Sequence, residues 1–128
     1  MAETEKITIN MSVVDLGKVD LLVQEGFYQN RTDFIRAAIR SQLDKHETAL
    51  QSFVVRNAYG MGIFGWSRKD LEKAIAKGER KSFNIIGMLV IEDDVSPELA
   101  DQAIESVRVR GSFRANAAVK EVLKDRIH

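Results

Sequence analysis

Apolar and polar residues alternate with a period of two over residues 6–11, the stretch KITINM. Apolar side chains at Ile7, Ile9 and Met11 alternate with the polar side chains of Lys6, Thr8 and Asn10. This period predicts a β-strand with one apolar and one polar face. No partner strand lies within the segment, and an unpaired strand leaves backbone N–H and C=O groups unsatisfied. We therefore expect the strand to pair antiparallel with the same strand of a second copy across a two-fold axis.

Two helices are predicted directly after this strand. Ser12 is a suitable N-cap for a first helix over about residues 13–25, which Gly26 ends in the left-handed conformation. Asn30 caps a second helix whose apolar residues recur at helical spacing. That spacing continues weakly beyond residue 50. We predict a break near Ser52 and a strand over residues 53–59, and the alternative is a helix that continues past residue 50.

The remaining residues alternate between strand and helix patterns. Further strands are predicted over residues 83–91 and 107–114, and the first of these is apolar on both faces, as a buried central strand is. Ser67 is the predicted cap of a helix that ends at about residue 76, Ser96 of one that ends at about residue 106, and Asn116 of a last helix. The glycine-rich segment GMGIFGW (residues 60–66) is expected to form a turn. The order βαβαβα predicts a small sheet with helices packed on it.

The first third of the chain resembles the ribbon-helix-helix family of DNA-binding repressors, of the CopG, Arc and MetJ type. The resemblance rests on KITINM, the turn at Gly26 and the helix start NRTDFIRAAI. It implies an intertwined dimer whose paired strands enter the major groove. The residues expected to contact bases are Lys6, Thr8 and Asn10, whose ammonium, hydroxyl and amide groups suit base edges. The residues expected to hold the phosphate backbone are Asn30, Arg31 and Thr32.

These patterns together predict an α+β protein with two domains. Residues 1–50 form a ribbon-helix-helix domain for dimerisation and binding of double-stranded DNA, and residues 51–128 form a small α/β domain. The second domain is expected to join dimers into a tetramer or to sense a small molecule. The function expected is a sequence-specific transcriptional regulator, a repressor. The alternative is an antitoxin that controls its own promoter through the same first domain and covers a toxin with the second.

Composition restricts the chemistry further. The 128 residues are 45% hydrophobic, which is sufficient for packed domains. The chain has no cysteine, so disulfides and thiol nucleophiles are excluded. It has only two histidines, His46 and His128. Relatives that sense nickel use His and Cys ligands, so nickel sensing is not expected here. An enzyme is the least favoured class, because no nucleophile–base pair or metal cluster is visible. We expect no cofactor.

Two further features of the sequence concern location and charge. No signal peptide is visible and the longest apolar run, residues 85–91, is too short to cross a bilayer, so we expect a cytoplasmic, nucleoid-associated protein without membrane contact. The chain has 19 basic and 19 acidic residues, and residues 1–50 have six and eight, a net charge of −2. DNA-binding domains are usually basic. A dimer would place Lys6 and Arg31 twice on one face, so that face would be locally basic despite the net charge of −2.

Two short segments could form other binding sites. Gly60, Gly62 and Gly65 spell GxGxxG, which is typical of dinucleotide sites when it lies between a strand and a helix. The alternative is a hinge between the two domains, and we favour it. The acidic run at residues 92–94 could bind a divalent cation, but a solvated loop is the simpler interpretation. No metal site is predicted.

Three arginines of the last predicted strand are candidates for an effector site. Arg108, Arg110 and Arg114 are expected on one side of that strand, where they could hold an anion or a phosphorylated effector. The alternative is a solvated strand face that pairs with neighbouring acidic residues. His46, near the end of the second helix, is expected to complement the helix dipole or to lie in an interface.

Overall fold

The computed structural model describes residues 4–128 and divides into two compact units. The first unit is Lys6–Phe53, and the second is Val54–His128, to which Glu5 also belongs. No described helix is long and apolar enough to span a membrane.

Three helices follow one another in the first half of the chain. They are α1 (Val13–Gln24), α2 (Arg31–Lys45) and α3 (Glu47–Asn57). The hydroxyl of Ser12 accepts the N–H groups of Val14 and Asp15 at 3.2 and 3.4 Å, so this residue caps α1 as predicted. Gly26 follows the helix with φ +85°, the left-handed conformation that ends helices and favours glycine.

The second helix ends earlier than predicted, and the predicted strand over residues 53–59 is wrong. α2 stops at Lys45, and α3 begins at Glu47 after a break at His46. The segment up to Asn57 continues this third helix, and Ala58, with φ +52°, follows it. The free-energy difference between the best and the worst strand-forming residues is only about 1 kcal/mol. A helix that is already formed through residue 52 therefore overrides the preference of Val54 and Val55 for strand conformation.

Residues 4–12 contain neither helix nor strand in the single chain. A β-strand requires a second strand to accept and donate its backbone hydrogen bonds. The strand expected over residues 6–11 depends on a second copy of the chain, and it stays a prediction.

The first unit has almost no interior of its own. All of residues 6–53 are described, and Val19 is the one apolar side chain among them that is buried. Val13 of α1 is 84% exposed. Large apolar side chains with more than a third of their surface exposed are Ile7, Ile9, Met11, Val13, Val14, Leu21, Phe27, Ile39 and Leu43. This much exposed apolar surface is typical of a unit that folds against a partner.

The second unit is built on a three-stranded parallel sheet in the order β1-β2-β3. The strands are β1 (Gly60–Trp66), β2 (Lys81–Ile91) and β3 (Ile104–Arg114). The helices between and after them are α4 (Arg68–Ala76), α5 (Pro97–Ala103) and α6 (Ala117–Leu123), and a 3-10 turn at Lys124–Arg126 follows. The mixed α+β class is confirmed. The helix expected to reach residue 106 ends at Ala103, where β3 begins directly.

The core of the second unit lies between the sheet and its helices. α5 packs between α4 and α6. Leu71 of α4, Leu89 of β2 and Val119 of α6 are fully buried in one apolar cluster. Phe64 and Trp66 of β1 pack against this cluster while remaining partly exposed. In contrast to the first unit, residues 54–128 therefore enclose an apolar core within one chain.

Side chains predicted as caps hold the helices of the second unit. Ser67 and Asp70 form a capping box at α4, in which the Ser67 N–H donates to Asp70 Oδ2 at 2.9 Å. These bonds from the Ser67 N–H and hydroxyl lower the pKa of Asp70. Asp94 accepts the N–H of Arg68 at 3.0 Å, so the acidic run at 92–94 contributes a further cap to this helix. Ser96 caps α5 and Asn116 caps α6.

Three glycines lie side by side across the sheet. Gly62 of β1 pairs with Gly87 of β2, which pairs with Gly111 of β3. Their φ angles are +143°, +132° and +129°, a region that side-chain-bearing residues rarely adopt. A Cβ atom on Gly87 would lie 2.1 Å from the Gly62 carbonyl oxygen, and one on Gly111 would lie 2.1 Å from the Gly87 oxygen. At Gly87 and Gly111 the backbones approach so closely that only glycine fits.

The glycine-rich segment 60–66 is therefore a strand, and the expectation of a turn there is wrong. Glycine normally weakens strands, but Gly62 has a φ of +143°, a backbone conformation that favours glycine. The Phe64 ring lies over Gly60, 3.1 Å from the position that a Cβ would occupy, and this covers the bare backbone. The three glycines of GxGxxG lie inside β1, not in a loop between a strand and a helix. The arrangement of a dinucleotide site is therefore not formed.

Candidate nucleic-acid interface

The segment expected to form the DNA-binding ribbon is exposed along its whole length. Lys6, Thr8 and Asn10 are exposed, and the apolar residues between them are too, with Ile7 at 74% and Ile9 at 63%. The apolar side chains of this alternating segment therefore have no covering surface in the single chain. A second copy of the same strand would supply both the missing hydrogen bonds and part of that cover.

An apolar groove adjoins this segment within the first unit. Its volume is about 430 Å³, and its lining comes from Met11, Asp15, Lys18, Val19, Leu22 and Phe34. Tyr28 meets Phe34 edge to face, with ring centroids 5.0 Å apart, which fixes one side of the groove. A groove of this kind beside an unpaired strand segment is suited to receive apolar side chains from a partner chain.

The start of α2 carries the capping arrangement predicted from the sequence. Asn30 Oδ1 accepts the N–H of Asp33 at 2.8 Å, and Asp33 Oδ2 accepts the N–H of Gln29 at 3.0 Å. Within residues 4–128, no acceptor is found for the backbone N–H groups of Arg31 and Thr32. These donors stand at the positive end of the helix dipole, where an anion is stabilised. The Asp33 carboxylate in the same turn opposes that effect.

The side chain of Arg31 is held by α1. Its Nε and Nη2 atoms donate to the two carboxylate oxygens of Asp20, both at 2.8 Å. This forked hydrogen bond lowers the pKa of Asp20 and raises that of Arg31. Both side chains are about half exposed, at 48% and 57%. Sequence reasoning missed this partner, because a spacing of eleven residues across a turn leaves no recognisable pattern.

The basic side chains of the first unit are all at the surface. They are Lys6, Lys18, Arg31, Arg36, Arg40 and Lys45. Of these, only Arg31 makes an ion pair with another described residue. The others are therefore available to phosphate groups, although the acidic residues of the same unit balance them in number.

The three arginines of β3 do not share one site. Arg108 and Arg110 line a shallow cavity of about 160 Å³ together with Tyr59 and His128. Arg114 lines a different cavity, of about 430 Å³, with Glu92 and Asn116 among its neighbours. Gly111 lies between them with its unusual φ angle.

Arg114 has an acidic partner that the sequence did not indicate. Its Nη2 atom donates to Glu5 Oε1 at 2.6 Å, and the Ser112 hydroxyl donates to the same oxygen at 2.8 Å. These two hydrogen bonds lower the pKa of Glu5. The alternative of pairing with acidic residues is thus realised for Arg114, with a carboxylate from the start of the chain.

Other candidate ligands remain apart. Among the described residues, no group of three or more histidine, aspartate or glutamate side chains is placed to hold a metal ion. His46 is the C-cap of α2 and is exposed there.

Comparison with known proteins identifies one family. The model of the ribbon-helix-helix transcriptional regulator family matches residues 2–120. The match thus extends well beyond the first third of the chain, to which the resemblance had been restricted, and includes most of the second unit. No curated protein and no solved structure matches the chain.

Proposed function

Because the chain belongs to the ribbon-helix-helix transcriptional regulator family, whose members bind DNA, we propose that it is a repressor that recognises its operator as a dimer. The family consists of regulators that are usually dimeric and typically not enzymes. In the proposed complex, residues 6–11 of two copies pair and enter the major groove. The single observation that carries this proposal is the exposed, unpaired segment 6–11 beside an apolar groove.

The apolar side of the proposed ribbon supports dimer formation. Ile7, Ile9 and Met11 of each copy are exposed or nearly so in the single chain. Burial of one such side chain contributes about 1.5–3 kcal/mol. Dimer formation buries these three side chains in each of the two copies, and burial of further apolar residues of α1 and α2 adds to the stabilising free energy. This is sufficient to make dimerisation and folding of the first unit a single event.

The polar side of the proposed ribbon supplies the base contacts. Asn10 can donate and accept at once, a pattern that matches the N6 and N7 atoms of adenine. Lys6 can donate to guanine O6 and N7, and Thr8 can contact either type of base. Every contact occurs twice in the dimer, so the operator is expected to be a palindrome or nearly so.

The start of α2 is proposed to hold the DNA backbone. The N–H groups of Arg31 and Thr32 would bind a phosphate oxygen, while the Asn30 side chain keeps its capping bond to Asp33. The Arg31 guanidinium has five N–H donors, and the pair with Asp20 uses two of them. The remaining donors can contact phosphate without breaking the ion pair.

The second unit is proposed to have one of two roles. It joins ribbon dimers into a tetramer, or it binds a small-molecule effector. Its apolar core is complete within one chain, so it does not need the first unit for burial. This core also counts against the antitoxin alternative, in which the toxin-covering segment is commonly disordered before it binds.

Base recognition is tested by comparing operator affinity with random-duplex affinity. The operator is first selected from random duplexes by the wild-type protein, and binding is measured by fluorescence anisotropy at one fixed salt concentration. Asn10→Ala is expected to lower operator affinity by about five- to 150-fold, the effect of a lost base contact of about 1–3 kcal/mol. Random-duplex affinity should stay within about twofold, because no charge is lost.

A charge control accompanies this test. Lys6→Ala should weaken binding to the operator and to the random duplex, and the loss should be larger for the operator. Lys69→Ala removes an equal charge from α4 of the second unit, and it should change the ratio of the two affinities little. An Asn10→Ala protein with an unchanged ratio would show that the ribbon does not recognise sequence.

A further inference from the structure

The two outer edges of the second unit's sheet differ in their protection. The edge of β3 is covered by the end of the chain, where Val107 bridges Ile127 and accepts the N–H of His128 at 2.9 Å. The edge of β1 has no such cover from any residue that the structure describes. An open strand edge is a template for pairing with another chain.

The ladder between β1 and β2 shows which β1 residues face outward. Trp66, which lies opposite Ile91, accepts the N–H of Glu92 at 2.9 Å. In a parallel ladder, alternate residues bond to the same neighbour. Met61, Ile63 and Gly65 therefore direct their N–H and C=O groups away from β2. Within residues 4–128, these outward groups find no hydrogen-bond partner.

The β1 edge also lacks the features that usually prevent association. Natural edge strands carry charged residues, prolines or covering segments. From residue 57 to residue 67 the chain contains no charged residue and no proline. Met61 and Ile63 are 47% and 52% exposed. β3, in contrast, carries four charged side chains, at Glu105, Arg108, Arg110 and Arg114.

We propose that β1 pairs antiparallel with β1 of a second copy of this chain, so that two three-stranded sheets become one continuous sheet. The inference deepens the proposed assembly role of the second unit and rests on it. The outward residues are symmetric about Ile63, which places the Ile63 residues of two copies opposite each other. Met61 of each copy then lies opposite Gly65 of the other, where the missing side chain leaves room. This register forms roughly six backbone hydrogen bonds.

A second copy is favoured over a foreign partner for two reasons. The edge has no charge, so two identical edges meet without electrostatic repulsion, and a two-fold axis makes any strand complementary to itself. The family's members are usually dimeric, so each dimer carries two β1 edges, which can pair with the two β1 edges of a second dimer. Tethering raises the effective concentration of the second contact into the range of about 1 mM.

Cysteine cross-linking in the full chain tests the pairing directly. The chain has no cysteine, so Ile63→Cys introduces the only thiol. Opposite residues of a hydrogen-bonded antiparallel pair have Cα atoms about 5.5 Å apart, within the range of about 4.4–6.8 Å that a disulfide spans. Mild oxidation should produce a disulfide-linked pair of chains in high yield. Val55→Cys, on the 79% exposed face of α3, controls for random collision and should cross-link at least about tenfold more slowly.

A pair of variants at Gly65 separates backbone pairing from mere proximity. A Cβ at this position meets no atom within 4 Å, so Gly65→Ala fits the single chain. Gly65→Pro changes a residue whose outward N–H has no partner among residues 4–128. Only proline removes the outward N–H, and it leaves the ladder to β2 intact. In the Ile63→Cys background, proline should slow cross-linking at least about fivefold, and alanine should have little effect. Thermal melting should show that both variants are folded.

The outcomes for pairing and for DNA recognition are distinguishable. If Ile63→Cys cross-links no faster than Val55→Cys, or if Gly65→Pro cross-links as fast as Gly65→Ala, the β1 pairing is overturned even when DNA binding is normal. If Asn10→Ala leaves sequence preference unchanged while Ile63→Cys still cross-links, the DNA-binding proposal fails and the pairing stands.

Discussion

Replacement of Gly87 by alanine is expected to destabilise the second unit more than a typical substitution does. Gly87 occupies the middle of the glycine row, with φ +132°. Holding a residue with a side chain in such a conformation costs about 1–3 kcal/mol. The added Cβ would lie 2.1 Å from the carbonyl oxygen of Gly62, so the two backbones must also move apart. Overpacking of this kind costs about 1–3 kcal/mol.

The two effects together give a loss of about 2–6 kcal/mol in the free energy of unfolding. A domain of 60–100 residues loses about 4–8 °C of melting temperature per kcal/mol. The midpoint of the second unit should therefore fall by at least about 8 °C. Because domains have about 5–15 kcal/mol of stability in total, the variant is expected to fold, with a reduced margin.

Trp66 provides the assay, because it is the only tryptophan and it lies in β1. Its ring meets that of Phe83 edge to face, with centroids 5.3 Å apart, so its fluorescence reports on the core of the second unit. Urea titrations of the full chain at this signal should show a lower midpoint for Gly87→Ala. Gly65→Ala is the matched control in open space, and it should be neutral or stabilising by up to about 1 kcal/mol. Equal midpoints for the two variants would refute the argument from close backbone approach.

Three further predictions concern the first unit and the caps. Asp20→Asn should raise affinity for random duplex by roughly three- to tenfold at low salt, because it frees the Arg31 guanidinium and removes a negative charge; an unchanged affinity in fluorescence anisotropy would contradict this. Ile9→Asp in the Gly65→Pro background, where β1 pairing is blocked, should give the monomer mass in sedimentation; a dimer would argue against the ribbon. The pKa of Asp70 is lowered in the folded chain, so its stabilising effect is complete above about pH 4, the usual aspartate range, and is lost as pH falls through the lowered value. NMR titration should show that shift, and Asp70→Asn should flatten the acid limb of unfolding.

Features encoded by a few neighbouring residues could be predicted from the sequence. All five predicted caps, Ser12, Asn30, Ser67, Ser96 and Asn116, accept a backbone N–H of the helix that they precede. A cap needs only one side chain and the next three residues, so tertiary structure changes it little. The apolar run that predicted a central strand likewise became β2.

Features that depend on distant partners could not be predicted. The glycine row exists because the register of three strands places residues 62, 87 and 111 opposite one another, and no local pattern shows this alignment. Segment 60–66 therefore looked like a turn. The pair of Arg31 with Asp20, and that of Arg114 with Glu5, also depend on how separate elements pack. The start of α3 at Glu47 was missed because the apolar spacing continues through the break at His46.

The most direct test of the account is a methylation-protection experiment on the selected operator. Dimethyl sulfate methylates guanine N7 in the major groove and adenine N3 in the minor groove. The full chain should protect guanine N7 at two symmetric half-sites, and Lys6→Ala with Asn10→Ala should abolish that protection at equal protein excess. Protection confined to adenine N3, or guanine protection that survives in the double variant, would contradict the insertion of a ribbon formed by residues 6–11 into the major groove.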